Sequence, residues 1–118
     1  QQSLKWMLSG EIFDANDAHS GGLVYEVCEP DNLLARAYEM AGQIASNTAP
    51  VSSALIRQMM YRNSAAAHPV EAHKVESLAV YYTSSADGKE GVSAFLEKRR
   101  ADFQSSASAD MPPFYPWW

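Results

Sequence analysis

Residues able to do chemistry are sparse in this chain and sit far apart. Glu11 and Asp14 are close enough to suggest a pair of carboxylates, the arrangement general acid/base work uses. Glu11, however, follows Gly10, a helix stop, and Asp14 stands where a helix N-cap belongs, so capping and surface roles are the expectation. Glu90 reads as a capping-box partner and Glu97 as part of a solvated, ion-paired face. Cys28 is the single cysteine, which excludes an internal disulfide and a Cys-only metal site. It follows an apolar stretch and has no His at a recognisable spacing, so it reads as a small buried filler, not a nucleophile. His19, His68 and His73 are scattered and show no metal-ligand spacing. The one concentration of positive charge is Lys98-Arg99-Arg100, of a size suited to one phosphorylated ligand.

The net charge of −5 argues against a general nucleic-acid binder, since phosphate neutralisation needs clustered cations. Apolar residues make up 47% and charged residues 19%, a soluble globular balance. No run approaches the ~20 apolar residues of a membrane helix, and the scarcity of cysteine suits a reducing cytoplasm. The chain starts Gln1-Gln2-Ser3, without an initiator Met, a basic leader or an apolar signal segment. That is the pattern expected of a cut chain or of one whose earlier portion lies elsewhere; removal of a start Met is the alternative.

The elements that must position these residues are mainly helical. Ser3 to Leu8 reads as a helix tail, with Leu4, Met7 and Leu8 on one face and Gly10 as its stop. Asp14 opens a short helix that Gly21-Gly22 ends. Leu23 to Val27 has the β-branched and aromatic content of one short strand. Four helices follow. The first, about Asp31 to Ser46, spaces Leu33, Leu34, Ala37, Met40, Ala41, Ile44 and Ala45 as an apolar stripe. The second starts at Pro50 with Val51, Ala54, Leu55 and Met59, and the third at Pro69 with Val75, Leu78, Ala79 and Tyr82. The fourth starts at Asp87, where Asp87-Gly88-Lys89-Glu90 has capping-box spacing. Loss of the Asp87 cap would cost ~0.5–2 kcal/mol. Val92, Phe95 and Leu96 line one side of this helix, and Gly91 inside it points to a close approach by a helix or ligand.

Residues 104–110 are polar and Ser/Ala-rich, hence a linker. The ending, Met111 to Trp118, holds three prolines and four aromatics, which predicts an extended or PPII path. Its aromatics are expected to cover an apolar groove on this subunit or a neighbour; a docking tail for another protein is the sharper alternative. Met59, Met60, Tyr61, Tyr81 and Tyr82 read as packing or subunit contacts. His68 reads as a helix-start residue and His73 as a helix-surface one.

Three stretches resemble the C-terminal part of the enoyl-CoA hydratase/isomerase (crotonase) superfamily. Trp6 to Ala15 is similar to a stretch where an apolar helix ends at Gly and an Asp/Glu-Ala helix start follows. Ala18 to Val27 is similar to Ala-x-x-x-Gly-Leu-Val-x-x-Val. Asp87 to Arg99 follows Asp-x-x-Glu-Gly-x-x-Ala-Phe-x-Glu-Lys-Arg almost position by position, with Ala101 where the family often has Pro. The resemblance runs from about Ser3 to Phe103.

It implies a mainly α chain: the helical C-terminal region of a crotonase-like ββα spiral fold, with one short strand near the N-terminus. Residues 1–29 would end the spiral core, 30–103 form a helical oligomerisation and CoA-side region, and 104–118 a linker and aromatic tail. It implies a cytoplasmic parent enzyme that hydrates or isomerises enoyl-CoA thioesters through an enolate held by backbone N–H groups. Coenzyme A enters as part of the substrate, and the assembly is a trimer or dimer of trimers. The oxyanion donors and catalytic acids of the family precede the stretch matched by Trp6, so no residue here inherits a catalytic role, and the 118 residues alone are expected to be inactive. Lys98 and Phe95 match positions near the CoA nucleotide. On their own residue types, Phe95 reads as core beside Val92 and Leu96, and Lys98 as a charge favoured by the helix end. The alternative function is a stand-alone α-helical oligomerisation or interaction module. A PPII-tail adaptor using Pro112 to Trp118 is a third reading.

Overall fold

The computed structural model of the chain describes residues 1–116; Trp117 and Trp118 of the aromatic ending lie outside the described residues. Contacts group the chain into two compact units, Gln1–Met40 and Ala41–Trp118. No helix among the described residues is long and apolar enough to cross a membrane.

In the first unit, α1 (Gln2–Ser9) ends at Gly10, whose φ of 64° is the left-handed conformation that glycine adopts without a Cβ clash. Its N–H donates to the Trp6 carbonyl at 3.1 Å. Asp14 caps α2 (Ala15–Ser20) by accepting from the Asp17 N–H at 2.9 Å, as the sequence predicts. The small core of this unit is built on Trp6, which stacks on Phe13 with ring centroids 4.1 Å apart. Gly21 is required beside it: a Cβ there would lie 2.4 Å from the Trp6 ring. Leu4, Met7 and Leu8, the apolar face of α1, are all exposed.

The strand expected over Leu23 to Val27 does not form; that stretch is irregular, and no strand is present among the described residues. A strand exists through ladder hydrogen bonds to a neighbour, and β-branched composition cannot supply the neighbour. The Leu23 N–H instead donates to the Ala18 carbonyl at 2.8 Å, turning the chain back on α2. Glu26 accepts from the Arg36 Nε at 2.9 and 3.0 Å. Cys28 is half-buried, more accessible than the buried filler expected. A 3-10 turn over Pro30–Asn32 leads into α3 (Leu33–Asn47), whose apolar stripe buries none of its residues.

In the second unit, α4 (Pro50–Asn63) and α5 (Pro69–Ser85) form a helical hairpin joined by residues 64–68. Both start at proline, whose missing N–H costs nothing in a first turn. His68 caps α5 by accepting from the Val70 N–H on Nδ1 at 3.1 Å, consistent with its helix-start reading. Val51 and Leu55 of α4 pack with Val75 and Ala79 of α5, and Leu55 is only 1% exposed. Burying such a leucine contributes about 1.5–3 kcal/mol. The ending seals this core: Met111, Phe114 and Tyr115 pack against it, Pro112 is fully buried, and Phe114 meets Tyr82 edge-on. Residues 112–115 turn instead of extending, with the Tyr115 N–H donating to the Pro112 carbonyl at 2.9 Å. The helix α6 (Asp87–Glu97) packs on α5.

Candidate functional site

The site that the sequence predicts lies along α6 and just past its end. The helix buries Ala94 and turns Gly91 toward Phe103, whose ring carbon would be 3.7 Å from a Cβ at position 91. That is ordinary van der Waals contact, so the approach Gly91 suggested comes from this chain's own return path. With the small residues inward, the large apolar ones face out: Val92 is 61% exposed, Phe95 83% and Leu96 74%. The core reading of Phe95 is thereby overturned. Helical spacing identifies a shared face but not which face meets the core.

Lys98 is exposed and occupies the left-handed position after the helix, with φ 54° and ψ 38°. The Arg99 N–H donates to the Ala94 carbonyl at 3.0 Å and the Lys98 N–H to the Phe95 carbonyl at 3.3 Å, which together form a Schellman cap. Glycine normally fills this place, because a Cβ costs roughly 1–2 kcal/mol there. Lys98 makes no ion pair among the described residues. Its φ is the one positive value at a non-glycine residue described.

Arg99 behaves differently from its neighbour. Its guanidinium grips both oxygens of Glu90, with Nη2 at 2.9 Å, and its Nε donates to Glu97 at 2.6 Å. Glu90 also accepts from the Asp102 N–H at 2.7 Å. These bonds hold the Glu90 carboxyl down at about 2, first through Arg99 and then through the Asp102 backbone; the same contacts raise Arg99 above its ordinary value. Arg100 donates to the Ser46 carbonyl at 3.5 Å and, with Thr48, Asp102 and Phe103, lines a cleft of about 400 Å³.

The capping box expected at Asp87-Glu90 is absent. Ala86 is the N-cap, with no side-chain cap bond, and Asp87 is the first helical residue. Asp87, only 8% exposed, accepts the backbone N–H groups of Gln104 at 3.1 Å and Ser105 at 3.2 Å. Both carboxylates therefore fasten the segment that follows the helix. The linker expected at 104–110 is tied down further, as the Ser106 N–H donates to the Asp110 carboxylate at 2.7 Å. The carboxylate clamp escaped sequence reasoning because Glu90 and Arg99 are nine residues apart, beyond the i,i+4 reach that helical spacing exposes. The signal available was the basic run Lys98-Arg99-Arg100 at the end of a helix that carries Glu90 and Glu97.

The remaining candidates fall into structural places. Glu11 pairs with Lys5 at 3.2 Å on the surface. His73 is exposed, 3.9 Å from Glu76. Met59 packs on the core, whereas Met60, Tyr61 and Tyr81 are exposed, and the Arg57 guanidinium lies 5.2 Å from the Tyr61 ring centre.

Comparison with known proteins addresses what this arrangement belongs to. Residues 2–106 match the family described as enoyl-CoA hydratase/isomerase. The chain is 40% identical over 108 residues to enoyl-CoA hydratase AKT3-2 of Alternaria alternata, covering 89% of this chain and 36% of that protein. It is 35% identical over 106 residues to the mitochondrial enoyl-CoA hydratase of Pongo abelii, covering 86% of this chain and 35% of that protein. The chain thus spans about a third of the length of these curated relatives. A solved structure, of a probable enoyl-CoA hydratase/isomerase from Mycobacterium abscessus, superposes with a TM-score of 0.76 at 27% identity. That match covers 84% of this chain and 41% of the other. On the family match and the superposition together, this chain belongs to the enoyl-CoA hydratase/isomerase family.

Proposed function

We propose that these residues form the C-terminal, CoA-side helical portion of an enzyme that hydrates or isomerises enoyl-CoA thioesters. In this reading residues 1–29 close the catalytic core, 30–103 supply helices for ligand and subunit contacts, and 104–118 form a linker and tail that dock back. The whole protein works in the cytoplasm as a trimer or dimer of trimers. Its reaction passes through an enolate whose oxygen is stabilised by backbone N–H donors, with carboxyl groups moving the proton. Those groups belong to a part of the enzyme outside this stretch, and the 118 residues by themselves do not turn over substrate.

What this chain contributes is binding. The carrying observation is the outer face of α6, where exposed Phe95 lies three residues before Lys98, itself exposed and in no ion pair among the described residues, within the motif from Asp87 to Arg99. An aromatic face can stack on adenine or pack against pantetheine, and an ammonium can meet a phosphate of coenzyme A. The exposed apolar stripes of α3 and α6 support subunit contacts, since apolar surface of this kind is normally covered in an assembly.

The test is a Lys98→Glu change in the complete gene product. Coenzyme A affinity should fall about tenfold at low salt, and the deficit should shrink as ionic strength rises. Unchanged affinity at low salt removes Lys98 from the binding site.

A further inference from the structure

Arg99, held by Glu90 and Glu97, directly follows Lys98, the residue proposed for ligand contact. We propose that Glu90 and Arg99 are positioning residues for Lys98: their paired side chains fix the reversal after α6, so that Lys98 presents its ammonium to a ligand phosphate. The inference rests on the preceding reading that Lys98 meets such a phosphate.

Three observations lead to it. Lys98 holds a left-handed backbone that a lysine does not adopt by preference, so neighbouring contacts must hold it there. Those contacts are on both flanks: the Schellman hydrogen bonds before it, and after it the grip of Glu90 on Arg99 and on the Asp102 N–H. A single carboxylate in the first turn of α6 thus ties down residues nine and twelve positions onward. Asp87 extends the fastening to Gln104 and Ser105.

The same bonds divide the labour within the basic triplet. Arg99 spends Nε on Glu97, both terminal nitrogens on Glu90, and Nη1 also on the Arg100 carbonyl. Two carboxylates offset its charge, so it is not a free phosphate ligand. Arg100 is turned to the Ser46 carbonyl. Lys98 remains the cation of the triplet that lies near Phe95 in sequence and is in no ion pair among the described residues.

A double-mutant cycle in the complete gene product tests this, with coenzyme A itself as the probe in equilibrium binding. Lys98→Gln and Glu90→Gln should each weaken binding, by about fivefold to tenfold for the lysine and about threefold to fivefold for the glutamate. The decisive readout is the double variant, which should bind no more weakly than Lys98→Gln alone, because Glu90 acts through Lys98. Arg99→Gln should reproduce the Glu90→Gln loss and the same non-additivity, and it serves if Glu90→Gln fails to fold. Glu90→Asp, which can keep the ion pair, should recover part of the affinity. Equal losses on both backgrounds overturn the inference while leaving the Lys98 reading intact. Undiminished binding by Lys98→Gln overturns that reading, and the inference with it.

Discussion

Replacing Lys98 with glycine should stabilise this chain while removing its proposed ligand cation. At φ 54° and ψ 38° the lysine Cβ crowds its own carbonyl, a cost of roughly 1–2 kcal/mol that glycine escapes. Glycine returns part of the gain, about 0.4–1 kcal/mol, through the greater freedom of the unfolded chain. The net expectation is roughly 0.5–1 kcal/mol of added stability. Lys98 has no ion pair among the described residues to lose, so the backbone effect should dominate. Lys98→Ala is the control: it removes the same ammonium but keeps the Cβ. Urea unfolding of the three proteins at one pH measures the effect. With a slope of about 2 kcal/mol per molar, the glycine variant should unfold at a midpoint ~0.25–0.5 M above the alanine variant. A glycine midpoint at or below that of alanine refutes the strained-cap reasoning.

Other consequences follow from the same region. Asp87→Ala should destabilise by about 1–3 kcal/mol, because it leaves two backbone donors without their buried acceptor. Hydrogen exchange should accelerate first at Gln104 and Ser105; fraying confined to the start of α6 would restore the capping role. Gly91→Ala should be neutral or stabilising by up to about 1 kcal/mol in urea unfolding, since the nearest atom to the new Cβ is the Phe103 ring at 3.7 Å. Glu90 has a folded value of about 2 against an ordinary 4.5. Its stabilising contribution is therefore complete above pH 4.5 and is lost as pH falls through about 2. The stability gap between wild type and Glu90→Gln should narrow between pH 6 and pH 2; a gap independent of pH contradicts the assigned pairing.

Local chemistry explains what was legible in the sequence. Asp14, Pro50 and Pro69 announce helix starts through the bonds they make or omit within one turn, and all three starts are observed. Gly10 announces a stop for the same reason. Features that depend on distant partners were not legible. Leu23 to Val27 has strand composition, but a strand needs a neighbour. The spacing of Val92, Phe95 and Leu96 places them on one face, but only the inward placement of Gly91 and Ala94 decides that it points outward. Asp87 and Glu90 have the spacing of a capping box, and the competing donors that capture them arrive from residues 99–105. The motif puts Lys98 and Phe95 forward as candidates, whereas the Glu90–Arg99 clamp becomes visible only with the return of the chain in three dimensions.

The central proposal is that this stretch binds and supports while the reaction belongs to another part of a longer enzyme. Its most direct test is the hydration rate of crotonyl-CoA, followed by loss of the enoyl thioester absorbance, for the complete gene product beside the purified 118-residue chain. The expected result is turnover by the complete protein and none by the isolated chain above the uncatalysed rate. Turnover by the isolated chain would contradict the claim and place catalytic groups within these 118 residues.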